Sequence, residues 1–242
     1  MNRKAIVTGG TKGIGKAVVH KLLSEGMEVL IIYGHDSGAA TSFLKSLEKT
    51  HPGRTALLKA DVTSDESVKT VADYIKQHKW KPDFILFNAG ITDRTPFPDI
   101  ERDSWNKVFA ANLDFPVFVL QKLFPYLKKG SSVIFTGSLM GIHPHAVSLS
   151  YGVSKAAVHA LVKNLVKFLS PKGIRVNAVV PGFVDTGWHK SKTQEMKKAI
   201  CRKIASGRFS KPEELADIYW LVLNNPSLNG ELIVADGGYS FA

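Results

Sequence analysis

The 242-residue sequence predicts an α/β protein in which helices cover both faces of a doubly wound, mostly parallel sheet of seven strands. Three observations support this class. Short apolar runs alternate with segments of helical spacing along the chain, and a glycine-rich turn follows the first run. Some runs, such as 84–87 and 176–180, are apolar throughout, as expected for strands buried on both faces.

The elements follow in order from this alternation. The first strand covers residues 5–8, and apolar residues then recur at helical spacing until Gly26 ends the first helix. The remaining strands are predicted at 28–33, 55–60, 83–88, 132–137, 174–180 and 231–235. Helices are predicted at 37–50, 65–78, 150–169 and 213–224, with helical stretches from the fourth strand to about residue 129. No linker or repeat interrupts the pattern, so we expect one domain over residues 1–242.

Composition excludes several classes of protein. Cys201 is the only cysteine, which rules out an intrachain disulfide and agrees with a reducing compartment. No segment approaches the roughly 18 apolar residues of a membrane span, and the residues before the first strand leave no room for a signal peptide. We therefore expect a cytoplasmic protein without a membrane partner.

Charge and histidine spacing narrow the expected partners. The formal charge of +11 favours anionic partners, such as phosphorylated cofactors, acidic carrier proteins or nucleic acid. Nucleic acid is not expected, since no aromatic-basic motif or recognition helix accompanies the charge. A metal site is not expected either, because the histidines do not have the spacing that is typical of zinc ligands. Surface or packing roles are expected for His20, His51, His78, His143, His145, His159 and His189.

The turn after the first strand carries the first functional motif. Residues 8–15 read Thr-Gly-Gly-Thr-Lys-Gly-Ile-Gly and join the first strand to the first helix. Backbone N–H groups and the positive end of a helix favour a pyrophosphate at such a turn, and glycines let the backbone approach it closely. The motif predicts a dinucleotide site, with a purely structural turn as the alternative.

The end of the second strand bears on which dinucleotide binds. A cofactor without a 2′-phosphate usually meets an acidic residue there, whereas this sequence has Tyr33-Gly34-His35. Lys12 in the glycine turn and His35 beyond the strand could face a phosphate, which favours NADP(H) over NAD(H). Asp36 is the counterargument, and solvated loop residues remain the alternative interpretation of Lys12 and His35.

A second group of residues could carry acid-base chemistry. Tyr151 and Lys155 are four residues apart on a predicted helix and share one face, where an ammonium would lower the pKa of a phenol. Tyr-x-x-x-Lys is common on helices and gains meaning only from its context. Ser138 lies just past the fifth strand, where ligands bind in doubly wound sheets. Asn88-Ala89-Gly90 and Pro181-Gly182 end the fourth and sixth strands with small or turn-forming residues.

Asn112 has a physical rationale of its own. Pro116 stands four residues later and cannot donate the helical hydrogen bond to the carbonyl of residue 112. If the helix runs through Pro116, the free carbonyl offers a seat for a water that leads from Lys155 toward solvent. An ordinary proline kink with a solvated carbonyl is the alternative.

These motifs together resemble the short-chain dehydrogenase/reductase family, over nearly the whole chain from Thr8 to Asp236-Gly237-Gly238. The resemblance implies a single Rossmann-type domain and an oxidoreductase acting on CH–OH groups. It also implies that Tyr151 is the acid-base and that Lys155 binds the nicotinamide ribose and lowers the pKa of the tyrosine. Ser138 would polarise the carbonyl, and Asn112 would support a proton-relay water.

The resemblance extends to the cofactor contacts, with Asp61 and Val62 bordering adenine and Thr186 the carboxamide. The expected contacts are Thr8, Gly9, Thr11, Lys12, Gly13, Ile14, Gly15, Tyr33, His35, Asp61, Val62, Asn88, Ala89, Gly90, Tyr151, Lys155, Pro181, Gly182, Val184 and Thr186.

Residues 183–208 correspond to a substrate lid in the resembled family. Met196, Ile200 and Ile204 recur every fourth residue among many lysines and arginines, which predicts an amphipathic, basic helix. One face could cover an apolar substrate and the other attract an acidic carrier protein or coenzyme A. A plain solvated face is the alternative.

The best-matched subgroup is the 3-oxoacyl-[acyl-carrier-protein] reductases of fatty acid biosynthesis, suggested by residues 29–33, residues 88–92 and the basic sites. Residues 93–98 and the lid around Trp188 depart from that subgroup. The alternatives are a reductase of a sugar, polyol or steroid and a non-catalytic nucleotide-sensing protein. By resemblance we expect a homotetramer or homodimer built through the helices that hold Asn112 and Tyr151.

Overall fold

In the computed structural model, which describes residues 3–241, seven strands form one sheet in the order β3-β2-β1-β4-β5-β6-β7. Every neighbouring pair of strands is parallel. The strands are β1 (Lys4–Thr8), β2 (Glu28–Tyr33), β3 (Thr55–Lys59), β4 (Phe84–Phe87), β5 (Ser132–Thr136), β6 (Arg175–Pro181) and β7 (Leu232–Ala235). The predicted fold class is confirmed, and each strand ends within one residue of its predicted bounds.

Helices cover both faces of the sheet because each strand sends alternate side chains to opposite sides. The helices are α1 (Gly13–Ser24), α2 (Ser37–Thr50), α3 (Glu66–Gln77), α4 (Arg102–Phe109), α5 (Phe115–Leu123), α6 (Leu149–Leu169), α7 (Gln194–Cys201) and α8 (Pro212–Asn224). Ile6 of β1 packs in one core with α3, α5 and α6, whereas its neighbours Ala5 and Val7 pack in the other core with α1, α2 and α8. None of the helices in residues 3–241 is long and apolar enough to cross a membrane.

The helical path between β4 and β5 passes through Pro116 without a break. A π-helical segment, Ala110–Asp114, joins α4 to α5, and the N–H of Phe115 donates to the carbonyl of Ala110. The water seat predicted at Asn112 required the helix to run through Pro116, and it does. Pro116 therefore supplies no N–H to the carbonyl of residue 112 within a helical path. Single π-turns inside helices are common at functional sites.

The lid differs from the prediction in the length of its helix. Only Gln194–Cys201 is helical, and Ile204 lies in the turn that follows, where its N–H donates to the carbonyl of Cys201. The turn brings the chain back so that the N–H of Ser210 donates to the carbonyl of Phe183. Ile204 is buried, but Met196 is half exposed, so the three residues do not form one covered helical face.

The strand order fixes where a ligand can bind. From β1 the chain winds outward through β2 and β3, then returns to β4 on the other side of β1 and winds outward to β7. A crevice opens at such a reversal, beyond the carboxyl ends of the strands. The loops after β1, β4, β5 and β6 therefore converge on one site.

Candidate active site

The glycine turn and the end of β4 are held together by Thr8. Its Oγ1 accepts hydrogen bonds from the N–H groups of Asn88 (2.9 Å) and Ala89 (3.0 Å). The side-chain amide of Asn88 donates to the carbonyls of Thr8 (3.2 Å) and Gly9 (3.3 Å). Two motifs that are 80 residues apart in the sequence thus form one hydrogen-bonded unit at the reversal point.

The glycines of this turn are required by close backbone contacts. A Cβ on Gly15 would lie 2.3 Å from the carbonyl oxygen of Gly9 and 2.7 Å from Nδ2 of Asn88. Gly9 and Gly13 have φ of 65° and 55°, in the left-handed region that glycine adopts without strain. Helix α1 starts directly at Gly13, and the side chain of Lys12 before it makes no capping hydrogen bond. The positive end of α1 is therefore placed to receive a phosphate group.

The acidic residues near the ends of β2 and β3 are already engaged. Asp36 caps α2, with Oδ1 accepting from the N–H of Ala39 at 2.9 Å. Asp61 accepts from the backbone and hydroxyl of Thr63, and His35 Nε2 lies 3.6 Å from its Oδ2. Burial raises the pKa of Asp61. The hydrogen bonds from Thr63 and the nearby His35 lower it by more, so the pKa lies below its ordinary value.

Asn112 is buried and fixed by three hydrogen bonds. Its Oδ1 accepts from the N–H of Ile91 at 2.9 Å, and its Nδ2 donates to the carbonyl of Ile91 and to Oγ of Ser154, both at 3.0 Å. A Cβ on Gly90 would lie 2.9 Å from Asn112 Oδ1, so glycine is needed beside it. The side chain of Asn112 therefore joins the end of β4 to the helix that carries Lys155.

Ser138, Tyr151 and Lys155 are brought together as predicted. The Ser138 side chain lies close enough to the Tyr151 hydroxyl to influence its pKa. Nζ of Lys155 donates to the carbonyl of Thr136 at 2.7 Å and lies 5.6 Å from the centre of the Tyr151 ring. Burial lowers the pKa of Lys155 to about 8.

The expected lowering of the phenol pKa by Lys155 is wrong for this conformation. Burial raises the pKa of Tyr151, and the neighbouring Ser138 side chain opposes that rise only in part. The physical reason is the direction of the ammonium, which is bonded to the backbone of Thr136 at the end of β5.

A small cavity of about 10 Å³ lies behind these groups, lined among others by Asn112, Pro116, Thr136 and Lys155. A volume of that order is about what a single water needs, and backbone and side-chain polar groups line it. The sequence predicted a water seat next to Lys155 from the position of Pro116, and the structure places a cavity there.

The lid contributes two residues to the site. Thr186 Cγ2 lies 3.4 Å from the position of a Cβ on Gly13, so the start of the lid contacts the glycine turn. The indole of Trp188 lies 5.7 Å from the ring of Tyr151, centre to centre, and its side chain is 41% exposed. In the sequence, Trp188 was noted only as a departure from the 3-oxoacyl-[acyl-carrier-protein] reductases. A large aromatic residue at the start of a lid could have indicated that it contributes to the site.

All the predicted positions lie at or just beyond the carboxyl ends of the strands, on one edge of the sheet. They comprise Thr8, Gly9, Thr11, Lys12, Gly13, Ile14 and Gly15 after β1, Tyr33 and His35 after β2, Asp61 and Val62 after β3, Asn88, Ala89 and Gly90 after β4, Ser138 after β5, and Pro181, Gly182, Val184 and Thr186 after β6. Asn112, Tyr151 and Lys155 reach the same edge from helical segments. Within residues 3–241, no group of three His, Cys, Asp or Glu side chains could hold a metal ion.

A parallel sheet with a glycine-rich turn at its reversal point, facing a Ser-Tyr-Lys cluster, defines an oxidoreductase that uses a nicotinamide dinucleotide. Comparisons with known proteins agree. A family model described as enoyl-(acyl carrier protein) reductase matches residues 9–240. The chain belongs to the short-chain dehydrogenase/reductase family, and it acts on keto or hydroxy groups.

Individual relatives are similar over almost their full length. The chain is 30% identical to the 3-oxoacyl-[acyl-carrier-protein] reductase of Thermotoga maritima, covering 96% of each protein. It is 28% identical to glucose 1-dehydrogenase 2 of Bacillus subtilis, covering 98% of this chain and 94% of that one. A crystal structure of a short-chain dehydrogenase from Burkholderia cenocepacia in complex with NADP has a TM-score of 0.91 at 26% identity, covering 98% of both chains.

Proposed function

We propose that this protein is an NADP(H)-dependent reductase of 3-oxoacyl thioesters, whose acyl group is attached to an acyl carrier protein or to coenzyme A, in the cytoplasm. The observation that supports it most directly is the placement of Ser138 beside the Tyr151 hydroxyl, with Lys155 on the same helix face as Tyr151, one turn away. This arrangement presents two hydroxyl donors to a single carbonyl oxygen.

In the proposed mechanism, Ser138 and Tyr151 act on the carbonyl oxygen, and Lys155 and Asn112 act on the proton that reaches it. When bound, the cofactor supplies the hydride that reduces the carbonyl carbon. The Tyr151 hydroxyl gives its proton to the carbonyl oxygen, and the Ser138 hydroxyl donates a hydrogen bond that holds this oxygen in place. Lys155 stabilises the phenolate that Tyr151 becomes and passes a proton back to it. Asn112 and Pro116 hold the water that resupplies Lys155, in the cavity beside them.

The residues present fit a nicotinamide dinucleotide. The glycine turn of residues 8–15 and the uncapped start of α1 suit the pyrophosphate, and Asp61 and Val62 would border the adenine. Lys155, at the centre of the site, would hold the nicotinamide ribose, and Thr186 its carboxamide.

Support for NADP(H) comes from the charges at the ends of β1 and β2. Lys12 and His35 are exposed, and Tyr33 occupies the place where an acid would meet a free 2′-hydroxyl. Asp36, the residue that argued for NAD(H), has its carboxylate bonded to the N–H of Ala39 at the start of α2. Lys12 is thus available to a 2′-phosphate, and the exposed His35 could turn to it from Asp61.

The double substitution of Lys12 and His35 by alanine is expected to raise the KM for NADPH by roughly 10-fold, because it removes two charge-assisted contacts to the 2′-phosphate. The KM for NADH should change by less than about threefold, since NADH lacks that phosphate. Lys76→Ala, which removes an exposed charge in the last turn of α3, is the control and should leave both constants unchanged. Equal losses with NADPH and NADH would contradict the proposed preference.

Support for a thioester substrate comes from the Thermotoga maritima relative and from the charge of the lid. Residues 183–208 contain seven lysines and arginines but only two acidic residues. Burial, followed by the charges of Lys192, Arg94 and Lys197, lowers the pKa of His189 to about 4, so cations from the lid and from the loop after β4 surround His189. Acyl carrier proteins and coenzyme A are negatively charged, so the positive charge of the lid would attract either of them.

NADPH oxidation should be measured with acetoacetyl-coenzyme A and with a panel of sugar and steroid ketones. The expected result is a kcat/KM for the thioester at least about 10-fold above that for any ketone of the panel, a difference of about 1.4 kcal/mol in transition-state binding. The similarity to glucose 1-dehydrogenase 2 makes a sugar the second candidate. Turnover of a sugar or steroid ketone without turnover of the thioester would reject the proposed substrate.

We also infer a homodimer or homotetramer. The outer faces of α5 and α6 carry half-exposed Phe118, Leu149 and Val153, in the helices next to the site. A second copy that covered these side chains would remove apolar surface from water.

A further inference from the structure

His159 lies on the same face of α6 as Tyr151 and Lys155, one turn further along the helix. Its side chain is only 6% exposed, and its Nε2 faces the loop that carries Ser138. The backbone N–H of Ser138 donates to this nitrogen at 3.3 Å. The helix that supplies Tyr151 therefore also holds the backbone of Ser138, whose side chain lies beside the Tyr151 hydroxyl.

The loop after β5 is shaped to fit the imidazole ring. A Cβ on Gly137 would lie 2.4 Å from Nε2 of His159, and a Cβ on Gly141 would lie 2.8 Å from its Cε1. The loop is tied on both sides, because the N–H of Gly137 donates to Val179 and the N–H of Gly141 donates to the carbonyl of Ser138. The two glycines on either side of Ser138 allow the chain to approach the ring at van der Waals distance.

The charge state of His159 suits an acceptor. Burial, helped by the positive charges of Lys155 and Lys163, lowers its pKa to about 4. The imidazole is therefore neutral near pH 7, and a neutral ring that accepts at Nε2 carries its proton on Nδ1. A protonated ring could not accept from Ser138 and would add a second positive charge beside Lys155.

We propose that His159 is a positioning residue that fixes the backbone of Ser138, so that the Ser138 hydroxyl stays directed at the Tyr151 hydroxyl and the substrate oxygen. The proposal rests on the roles of Ser138 and Tyr151 in the proposed function. An apolar side chain of the same size would fill the space, but it would leave the buried N–H of Ser138 without an acceptor. The loop would then shift to find one, and a displacement of about 1 Å in a reacting group is enough to cost on the order of 100-fold in rate.

The test compares His159→Gln with His159→Met, two side chains of similar length and shape of which only glutamine offers an oxygen acceptor. On the substrate that the wild type reduces, His159→Met should lower kcat by about 10- to 100-fold with the Kd for NADPH within about threefold of wild type. His159→Gln should keep kcat within about fivefold of wild type. Val162→Ala, which removes buried methyl groups of the same helix, controls for lost stability and should leave kcat unchanged.

A second measurement is independent of any substrate. Hydrogen exchange of the Ser138 amide, followed by NMR, should be equally slow in the wild type and in His159→Gln and at least about 10-fold faster in His159→Met. An unchanged kcat in His159→Met, or equal losses in both variants, would overturn the positioning role. Absence of ketone reduction by the wild type would instead reject the proposed function, while the exchange rates would still report the contact between His159 and Ser138.

Discussion

Tyr151→Phe is expected to lower kcat by roughly 10²- to 10⁴-fold, the range that a positioned acid-base group contributes. The substitution removes the hydroxyl that lies beside Ser138 and keeps the ring that packs beside Trp188. The Kd for NADPH, measured by fluorescence titration, should stay within about threefold of wild type, because the glycine turn and Lys155 are untouched.

The control for this experiment is Tyr126→Phe, which removes a phenol hydroxyl from the short 3₁₀ turn Phe124–Tyr126, before β5. Its kcat should equal that of the wild type. Full activity in Tyr151→Phe would refute the proposed mechanism, and a parallel loss of NADPH binding would show that the tyrosine acts on the cofactor and not on the substrate.

Gly15→Ala is expected to abolish the stabilisation of the protein by NADPH. The new Cβ would lie 2.3 Å from the carbonyl oxygen of Gly9 and 2.7 Å from Asn88 Nδ2, and these groups hold the glycine turn to β4. The turn must shift away from α1, which costs about 1–3 kcal/mol of folding free energy and moves the N–H groups that face the pyrophosphate.

Thermal unfolding with and without NADPH is the appropriate measurement. The Tm of the wild type should rise with NADPH, since a ligand that binds only the native state stabilises it. The Tm of Gly15→Ala should be lower and should not respond to the cofactor. Gly38→Ala is the control, because the nearest atom to its Cβ, a side-chain oxygen of Asp36, is 3.9 Å away. A full NADPH-induced rise in Gly15→Ala would contradict the role of the turn.

The order of the strands and helices could be predicted from the sequence because each element is a local pattern. Buried parallel strands such as β4 are apolar throughout, and surface helices repeat at their own period. The prediction was less accurate in the lid, where contacts with residues distant in sequence decide where the helix ends. The spacing of Met196, Ile200 and Ile204 fits a helix, but the chain turns after Cys201 to pair Ser210 with Phe183.

The sequence alone indicated the family and allowed the residues of the site to be predicted, because the motifs lie next to strand ends and parallel strands bring those ends to one edge. Only the tertiary structure decided what each side chain contacts. Asp36 caps α2, Lys155 bonds the carbonyl of Thr136, and His159 accepts from Ser138. These contacts depend on the relative placement of elements that are distant in sequence and on the competition between local partners, which periodicity and spacing do not record.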